Sequence, residues 1–191
     1  LLKAITTFLG HPLSEADVSR YTFEIEKIYH GHPSGIDNTV ITYQKPIFYI
    51  RDLPVEQISI ERGFSILLVD SGINSHTSDV VNDVRNRWQA ATVEFESLFS
   101  AIGALTIQAR QALATGDLPR LGSLMIDNHT LLAKLGVSHT NLDKIVDAAM
   151  TAGAHGAKMS GAGRGGYAVV LSDQGHMNQI RDTLSGIGFP K

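Results

Sequence analysis

Ala157-Lys158-Met159-Ser160-Gly161-Ala162-Gly163-Arg164-Gly165-Gly166-Tyr167-Ala168-Val169-Val170-Leu171 reads as strand, glycine loop, strand. A last short helix is expected from Gln174 to Leu184. Upstream, the spacing predicts helices. Val80, Val81, Val84, Trp88, Ala91, Phe95 and Leu98 form one amphipathic stripe, and a second helix runs from about Ile102 to Ala114. Thr115-Gly116-Asp117 ends it and caps a third, to about Leu135; Thr140-Asn141-Leu142-Asp143 is a capping box opening a fourth, which ends near Gly153. Phe64 to Val69 is expected to be a strand buried on both faces. Further out, Thr39 to Tyr43, Pro46 to Arg51 and Ser59-Ile60 look like strands. Ser14-Glu15-Ala16-Asp17 is a capping-box start for a helix reaching His30-Gly31. Leu1, Leu2, Ile5, Phe8 and Leu9 share a helical face ended by Gly10, and with no N-cap before them they suggest a truncated chain. The order is helix, loop and strands, then strand, helices, strand pair and helix: an α+β layout with a boundary near Arg62-Gly63.

Composition bounds the function. The 191 residues are 43% hydrophobic and 18% charged, which is globular and long enough for a real core. A formal net charge of −3 gives no reason to expect a nucleic acid or an anionic membrane as partner. The absence of cysteine excludes a disulfide scaffold, a thiolate metal site and a cysteine nucleophile, and fits a cytoplasmic setting. No apolar run approaches the roughly 18 residues of a membrane span, and no signal peptide opens the chain.

Three segments carry chemistry. The loop His30-Gly31-His32-Pro33-Ser34-Gly35-Ile36-Asp37 combines glycines with a stiffening proline and ends on an acid. Asp37 there could be a general base, a metal ligand or the former of an Asx turn. Glu26 lies near the end of the preceding helix, where the negative dipole disfavours a carboxylate by a few tenths of a kcal/mol unless a cation is near. Its plain alternative is a solvated carboxylate beside Lys27. The loop Ser160 to Gly166 offers backbone N–H groups suited to anionic oxygens, with Arg164 adding positive charge, or it is a glycine-rich hairpin connection. It matches neither the dinucleotide fingerprint nor a Walker loop. Asp70 to Thr77 joins a strand to a helix, where loops often face ligands; Thr77 could equally be only an N-cap. The histidines show no zinc spacing, and no Gly-x-Ser-x-Gly elbow is present.

These segments, in this order, resemble the mevalonate kinase branch of the GHMP small-molecule kinases. Four stretches carry the likeness: Glu26 to Val40; Thr77 with Val84-Arg85-Asn86-Arg87; Asn128-His129 with Leu135-Gly136-Val137-Ser138-His139; and Lys158 to Gly166. Tyr167 stands where many members of that family have cysteine. The resemblance implies a two-half fold. Residues 1–62 would complete an N-terminal α/β half and residues 63–191 would form a ferredoxin-like half, with ATP and mevalonate meeting between them. It implies that Asp37 accepts the proton of the primary hydroxyl and that Glu26 holds Mg²⁺. His30, Ser34, Thr77 and Ala162 would line the substrate site, while Gly161, Gly163, Gly165 and Gly166 would surround the phosphates. It leaves room for a homodimer. It also implies a glycine- and serine-rich phosphate loop and a lysine before Leu1, so this chain alone is expected to be inactive. Two other readings stand beside it: a sister enzyme (a mevalonate 3-kinase or a phosphomevalonate decarboxylase), or a ligand-binding relative without catalysis. The Ser34 to Asn38 loop favours the kinase over the first, and intact Glu26 and Asp37 argue against the second.

Overall fold

A computed structural model describes residues 1–30 and 33–189; of Tyr29 and His30 only the backbone is described. The chain divides into two compact units, Leu1–Ser59 and Ile60–Lys191. The fold is α+β, as expected.

The first unit holds α1 (Leu2–Phe8), α2 (Glu15–His30), α3 (Ile36–Tyr43), and an antiparallel pair, β1 (Ile47–Phe48) with β2 (Glu56–Gln57). The Ser14 cap is as expected: its Oγ accepts from Asp17 N–H at 3.1 Å and donates to the Asp17 carboxylate at 2.7 Å. α1 buries none of its residues.

Residues 39–43, expected as a strand, are helical. Asn38, Thr39 and Thr42 lie on one buried face of α3. The Thr39 and Thr42 hydroxyls donate to the carbonyls of Gly35 and Asn38, each at 2.6 Å. Threonine tolerates a helix through this back-bond, so its β-branched preference is overridden by what its polar face can reach. The expected strand Pro46 to Arg51 shrinks to Ile47–Phe48, and its partner is Glu56–Gln57, not Ser59-Ile60.

The second unit holds β3 (Ser65–Asp70), α4 (Thr77–Ala90), α5 (Thr92–Thr115), α6 (Leu118–Lys134), α7 (Thr140–Thr151), β4 (Gly156–Ser160), β5 (Tyr167–Ser172) and α8 (Met177–Gly186). Its three strands lie in the order β3-β5-β4, all antiparallel. Strand, helices, strand pair and helix in this order give the split arrangement expected of a ferredoxin-like half. One face of the sheet, with Val69, Met159, Ala168 and Val170, packs into a core with Leu142 and Ile145 of α7 and Ile180 and Leu184 of α8. Full burial of such aliphatic side chains contributes about 1.5–3 kcal/mol each. A smaller cluster gathers Ala112 of α5, Leu121 and Leu124 of α6, and Leu171.

The second unit departs from the sequence pattern in three places. β3 is not buried on both faces: Ile66 and Leu68 are 52% and 57% exposed, because α6 packs against β4, at the other edge of the sheet, and leaves that face of β3 uncovered within the unit. The single stripe from Val80 to Leu98 is two helices broken at Ala91, whose backbone leaves the helical region (φ −140°, ψ 53°), and α5 then runs unbroken through residues 99–101. The break turns Phe95 into the core, while Thr92 Oγ1 donates to Trp88 O at 3.0 Å. The cap of α7 is His139, whose Nδ1 accepts from Asn141 N–H at 3.1 Å, not a Thr140 box. Asp143 instead accepts from Ser138 Oγ at 2.5 Å and pairs with His129 Nε2 at 3.1 Å.

Candidate active site

In the first unit, two neighbouring helices set the carboxylates. Asp37 is exposed on the first turn of α3, not on a loop as expected, because the loop ends at Gly35 (φ 84°), the left-handed residue at the helix start. A carboxylate in a first helical turn is favoured by the helix dipole. Its neighbours Asn38 and Thr39 are buried and bind α2: Asn38 Nδ2 donates to Ser19 O at 3.0 Å, and Ser19 and Thr39 hydroxyls meet at 3.2 Å. Their burial turns Asp37 outward. Among the described residues the Asp37 carboxylate accepts no hydrogen bond, so the Asx-turn alternative has no support.

The loop before α3 is clamped from the strand pair. Tyr49 OH donates to Ser34 O at 3.2 Å, and Arg51 donates to Pro33 O. A Cβ on Gly35 would fall 2.4 Å from the Tyr49 hydroxyl. Ser34 is exposed, and its Oγ accepts from Ile36 N–H at 3.3 Å. Tyr49 and Arg51 were not singled out from the sequence, since nothing in their spacing marks them as neighbours of Asp37; Asn38 was read only as part of the Ser34 to Asn38 loop. The side chain of His30 lies outside the described residues.

Glu26 is half-buried on α2 and has no cationic partner among the described residues. Lys27, beside it in sequence, pairs with Glu24 at 2.6 Å and lies over the Phe23 ring at 4.6 Å. Among the described residues no group of three or more His, Asp or Glu could hold a metal ion. A single unpaired carboxylate nevertheless suits Mg²⁺, which takes one or two protein carboxylates and completes its shell with phosphate oxygens and water.

In the second unit, three segments distant in sequence converge, the glycine loop among them. Ser71 N–H donates to Gly166 O and Gly166 N–H to Ile73 O, both at 2.8 Å. Ser75 Oγ donates to Gly163 O at 2.7 Å. From the turn at 135–139, Val137 O accepts from Arg164 N–H at 2.7 Å. Asn141 Nδ2 joins that turn's helix to Ser71 O at 2.9 Å. Gly163 and Gly165 are glycines for close packing: a Cβ would fall 2.1 Å from Val137 O and 2.3 Å from Ile73 O respectively. Gly161 and Gly166 have positive φ and face open space. Among the described residues no acceptor is found for the N–H groups of Gly161, Ala162, Gly163 and Gly165.

Arg164 does not point its charge into this nest as expected. It adopts φ 57°, its Nε donates to Gly136 O at 3.1 Å, and its guanidinium pairs with Asp83 of α4. It is a strut between the loop, the 135–139 turn and α4. Ala162 is half-buried against the core. Thr77 is exposed at the first position of α4, and the N-cap is His76, so Thr77 is not the cap.

Residues 109–189 match the family described as GHMP kinases C terminal. The mevalonate kinase of Aeropyrum pernix is 34% identical over 171 residues, covering 89% of this chain and 53% of that protein. The crystal structure of L. major mevalonate kinase in complex with R-mevalonate superposes with a TM-score of 0.83 at 40% identity, over 91% of this chain and 55% of that one. That of the Methanococcus jannaschii enzyme gives 0.82 at 26% identity, over 98% and 58%. The chain thus spans about half the length of the relatives it matches. Its glycine loop, its α+β second unit and its likeness to mevalonate kinases agree: residues 109–189 carry a GHMP kinase C-terminal domain, in a chain similar to mevalonate kinases over most of its length.

Proposed function

We propose that the protein carrying this chain is a mevalonate kinase, which transfers the γ-phosphoryl group of ATP to the primary hydroxyl of mevalonate. The observation that carries this reading is homology to mevalonate kinases across nearly the whole chain. The site's parts suit the chemistry. Phosphoryl transfer needs an oriented hydroxyl, an in-line phosphate and charge stabilisation. The Asp37 carboxylate, exposed and with no partner among the described residues, takes the hydroxyl proton as the oxygen attacks phosphorus and the bond to the leaving diphosphate of ADP breaks. The N–H groups of Gly161, Ala162, Gly163 and Gly165 meet the developing phosphate charge. The Gly166 N–H already donates to Ile73 O, so Gly166 shapes the loop instead of donating to phosphate. Ser34, His30, Thr77 and Ala162 orient the substrate. Mg²⁺, held by Glu26, neutralises phosphate charge when bound.

Residues up to about 62 form the rest of the N-terminal half of the kinase and residues from 63 its C-terminal half. The enzyme works in the cytoplasm. No described helix is long and apolar enough to cross a membrane. The 191-residue chain alone turns over little or not at all, since the kinase is proposed for a protein about twice its length.

The test is Asp37→Asn in the complete protein. Turnover with ATP and mevalonate falls by roughly 10²–10⁴ while the melting temperature holds, because asparagine keeps size and removes the proton acceptor. ³¹P NMR of the product identifies the phosphorylated oxygen. Turnover within about threefold of the parent, in a variant that melts normally, rejects Asp37 as the base. Phosphate on the tertiary hydroxyl would favour a 3-kinase. An inactive unmutated protein that still binds mevalonate would favour the non-catalytic relative.

A further inference from the structure

A cavity of about 200 Å³ opens between α5 and α6 over β4, all within the second unit. Its walls are largely apolar, Leu105 and Ala109 from α5 and Leu124 and Met125 from α6, with Thr106 of α5 beside them, whose hydroxyl already donates to Ile102 O. Its polar end is made by Asn128 and Lys158. The glycine loop is not part of it.

Lys158 is unusual for a lysine. It is half-buried on β4, on the face of the strand opposite the Met159 core side chain. No carboxylate pairs with it among the described residues; its one hydrogen bond goes to Met159 O at 2.8 Å. An ammonium has three donors, so two remain. Burial pushes its pKa below the ordinary lysine value. A buried cation with no counter-charge is costly, and an anion in the cavity would offset that cost.

Asn128 supplies the second polar group. Its side-chain amide has no partner among the described residues. Its position is fixed by the next residue. His129 is buried, accepts from Met159 N–H through Nδ1 at 3.2 Å, and binds Asp143 through Nε2. That bond pins α6 to the outer edge of β4 and keeps Asn128 and Lys158 at one cavity.

We propose that this pocket is a second ligand site, separate from the phosphoryl-transfer site, for a small carboxylate with a short apolar body. The apolar walls take the body; Lys158 and Asn128 donate to the carboxylate. One cation and one neutral amide match a single negative charge. A dianionic phosphate would bring a second charge with nothing to meet it. An apolar cavity of about 150 Å³ accepts benzene, so this one suits a ligand of about six to eight non-hydrogen atoms.

The experiment titrates the full chain, ¹⁵N-labelled, with hexanoate, hexan-1-ol and inorganic phosphate, following the Asn128 side-chain NH₂ signals. Hexanoate is expected to shift them saturably, and Lys158→Met to weaken it at least about tenfold. Ala109→Phe fills the pocket from α5 with the lysine intact and is expected to abolish binding, with melting curves checking that both variants fold. The proposal falls if hexanoate gives no saturable shift, if hexan-1-ol binds as tightly, or if Lys158→Met binds hexanoate unchanged. Inorganic phosphate shifting the same signals as strongly overturns the carboxylate assignment. Should Lys158→Met fail to fold, retained hexanoate binding in Ala109→Phe is the overturning result.

Discussion

Asp37 and Asn38 are adjacent and have opposite fates. Asp37 faces solvent with no partner among the described residues, whereas Asn38 is 4% exposed and donates to the Ser19 carbonyl. Removing the Asn38 amide takes one donor from the half-buried Ser19 carbonyl and opens a gap between α3 and α2, a loss of about 1 kcal/mol. Changing an exposed Asp37 with no partner among the described residues stays within about 0.5 kcal/mol. Asn38→Ala is therefore expected to speed hydrogen exchange of the α3 amides markedly, and Asp37→Asn to leave it unchanged. Exchange is the right readout because Trp88, the chain's one tryptophan, lies in the other unit and would not see α3 loosen. Equal acceleration in both variants would mean that Asn38 does not anchor the helix. From sequence, both residues belonged to the same motif. Only the contact with α2 separates the one that holds from the one that can react.

At the scale of elements, α6 and β4 meet through two glycines. Gly122 on α6 lies against Gly156 on β4, and a Cβ on Gly122 would fall 2.0 Å from the His155 carbonyl oxygen. Two principles then disagree in sign about Gly122→Ala. Helix propensity favours alanine by about 1 kcal/mol. The contact requires α6 to move off the strand, an overpacking cost of about 1–3 kcal/mol, and the obstacle is backbone, which gives little. We expect net destabilisation and weakened hydrogen bonding of His129 to Met159 N–H, read as a lower urea midpoint by Trp88 fluorescence. A raised midpoint would show that propensity wins and that the α6–β4 contact is loose. Element identity was legible where caps and periods agree. The Ser14 start of α2, the Asp117 cap of α6 and the strand–loop–strand at Gly156 to Ser172 were all read from the sequence. It was not legible at Ala91, where a helix breaks without glycine or proline. Nor was it at Thr39 to Tyr43, where β-branched residues read as a strand and the hydroxyl back-bonds make a helix.

The molecule as a whole should respond to pH at both ends. Asp17 is held below the ordinary carboxylate value by the Ser14 hydroxyl and then Arg20, and Asp173 by the His176 ring and backbone N–H. A carboxylate with a lowered folded pKa contributes stability that is present above the unfolded value of 3.8 and lost as pH falls through the folded one. Lys158 is the reverse case. Its folded pKa lies below 10.5, so between the two values the unfolded chain binds more protons and stability rises with pH. Melting temperature against pH should therefore fall below pH 3.8 and gain from Lys158 on the alkaline side. Asp173→Asn should shallow the acid limb, and Lys158→Met should remove the alkaline gain while raising stability at neutral pH. An alkaline limb identical in Lys158→Met would show that the lysine is well solvated.

The sequence by itself determined the order of chemical parts: Glu26 before Asp37, Thr77 after a strand, and four glycines between two strands. These are local facts, since a cap, a turn or a glycine run acts on its own neighbours. Tertiary structure decided which of those parts meet. It joined Ser71 to Ser75, the turn at Val137 and the loop at Gly163 to Gly166, and it turned Arg164 away from the nest onto Asp83. It made β3 an edge strand with Ile66 and Leu68 exposed, although its apolar run reads as buried. It also placed Lys158 over an apolar cavity beside Asn128. The reason is common to all of these. A side chain's partners are set by which surfaces the packed elements present to one another, and that depends on residues far apart along the chain, which no local pattern contains.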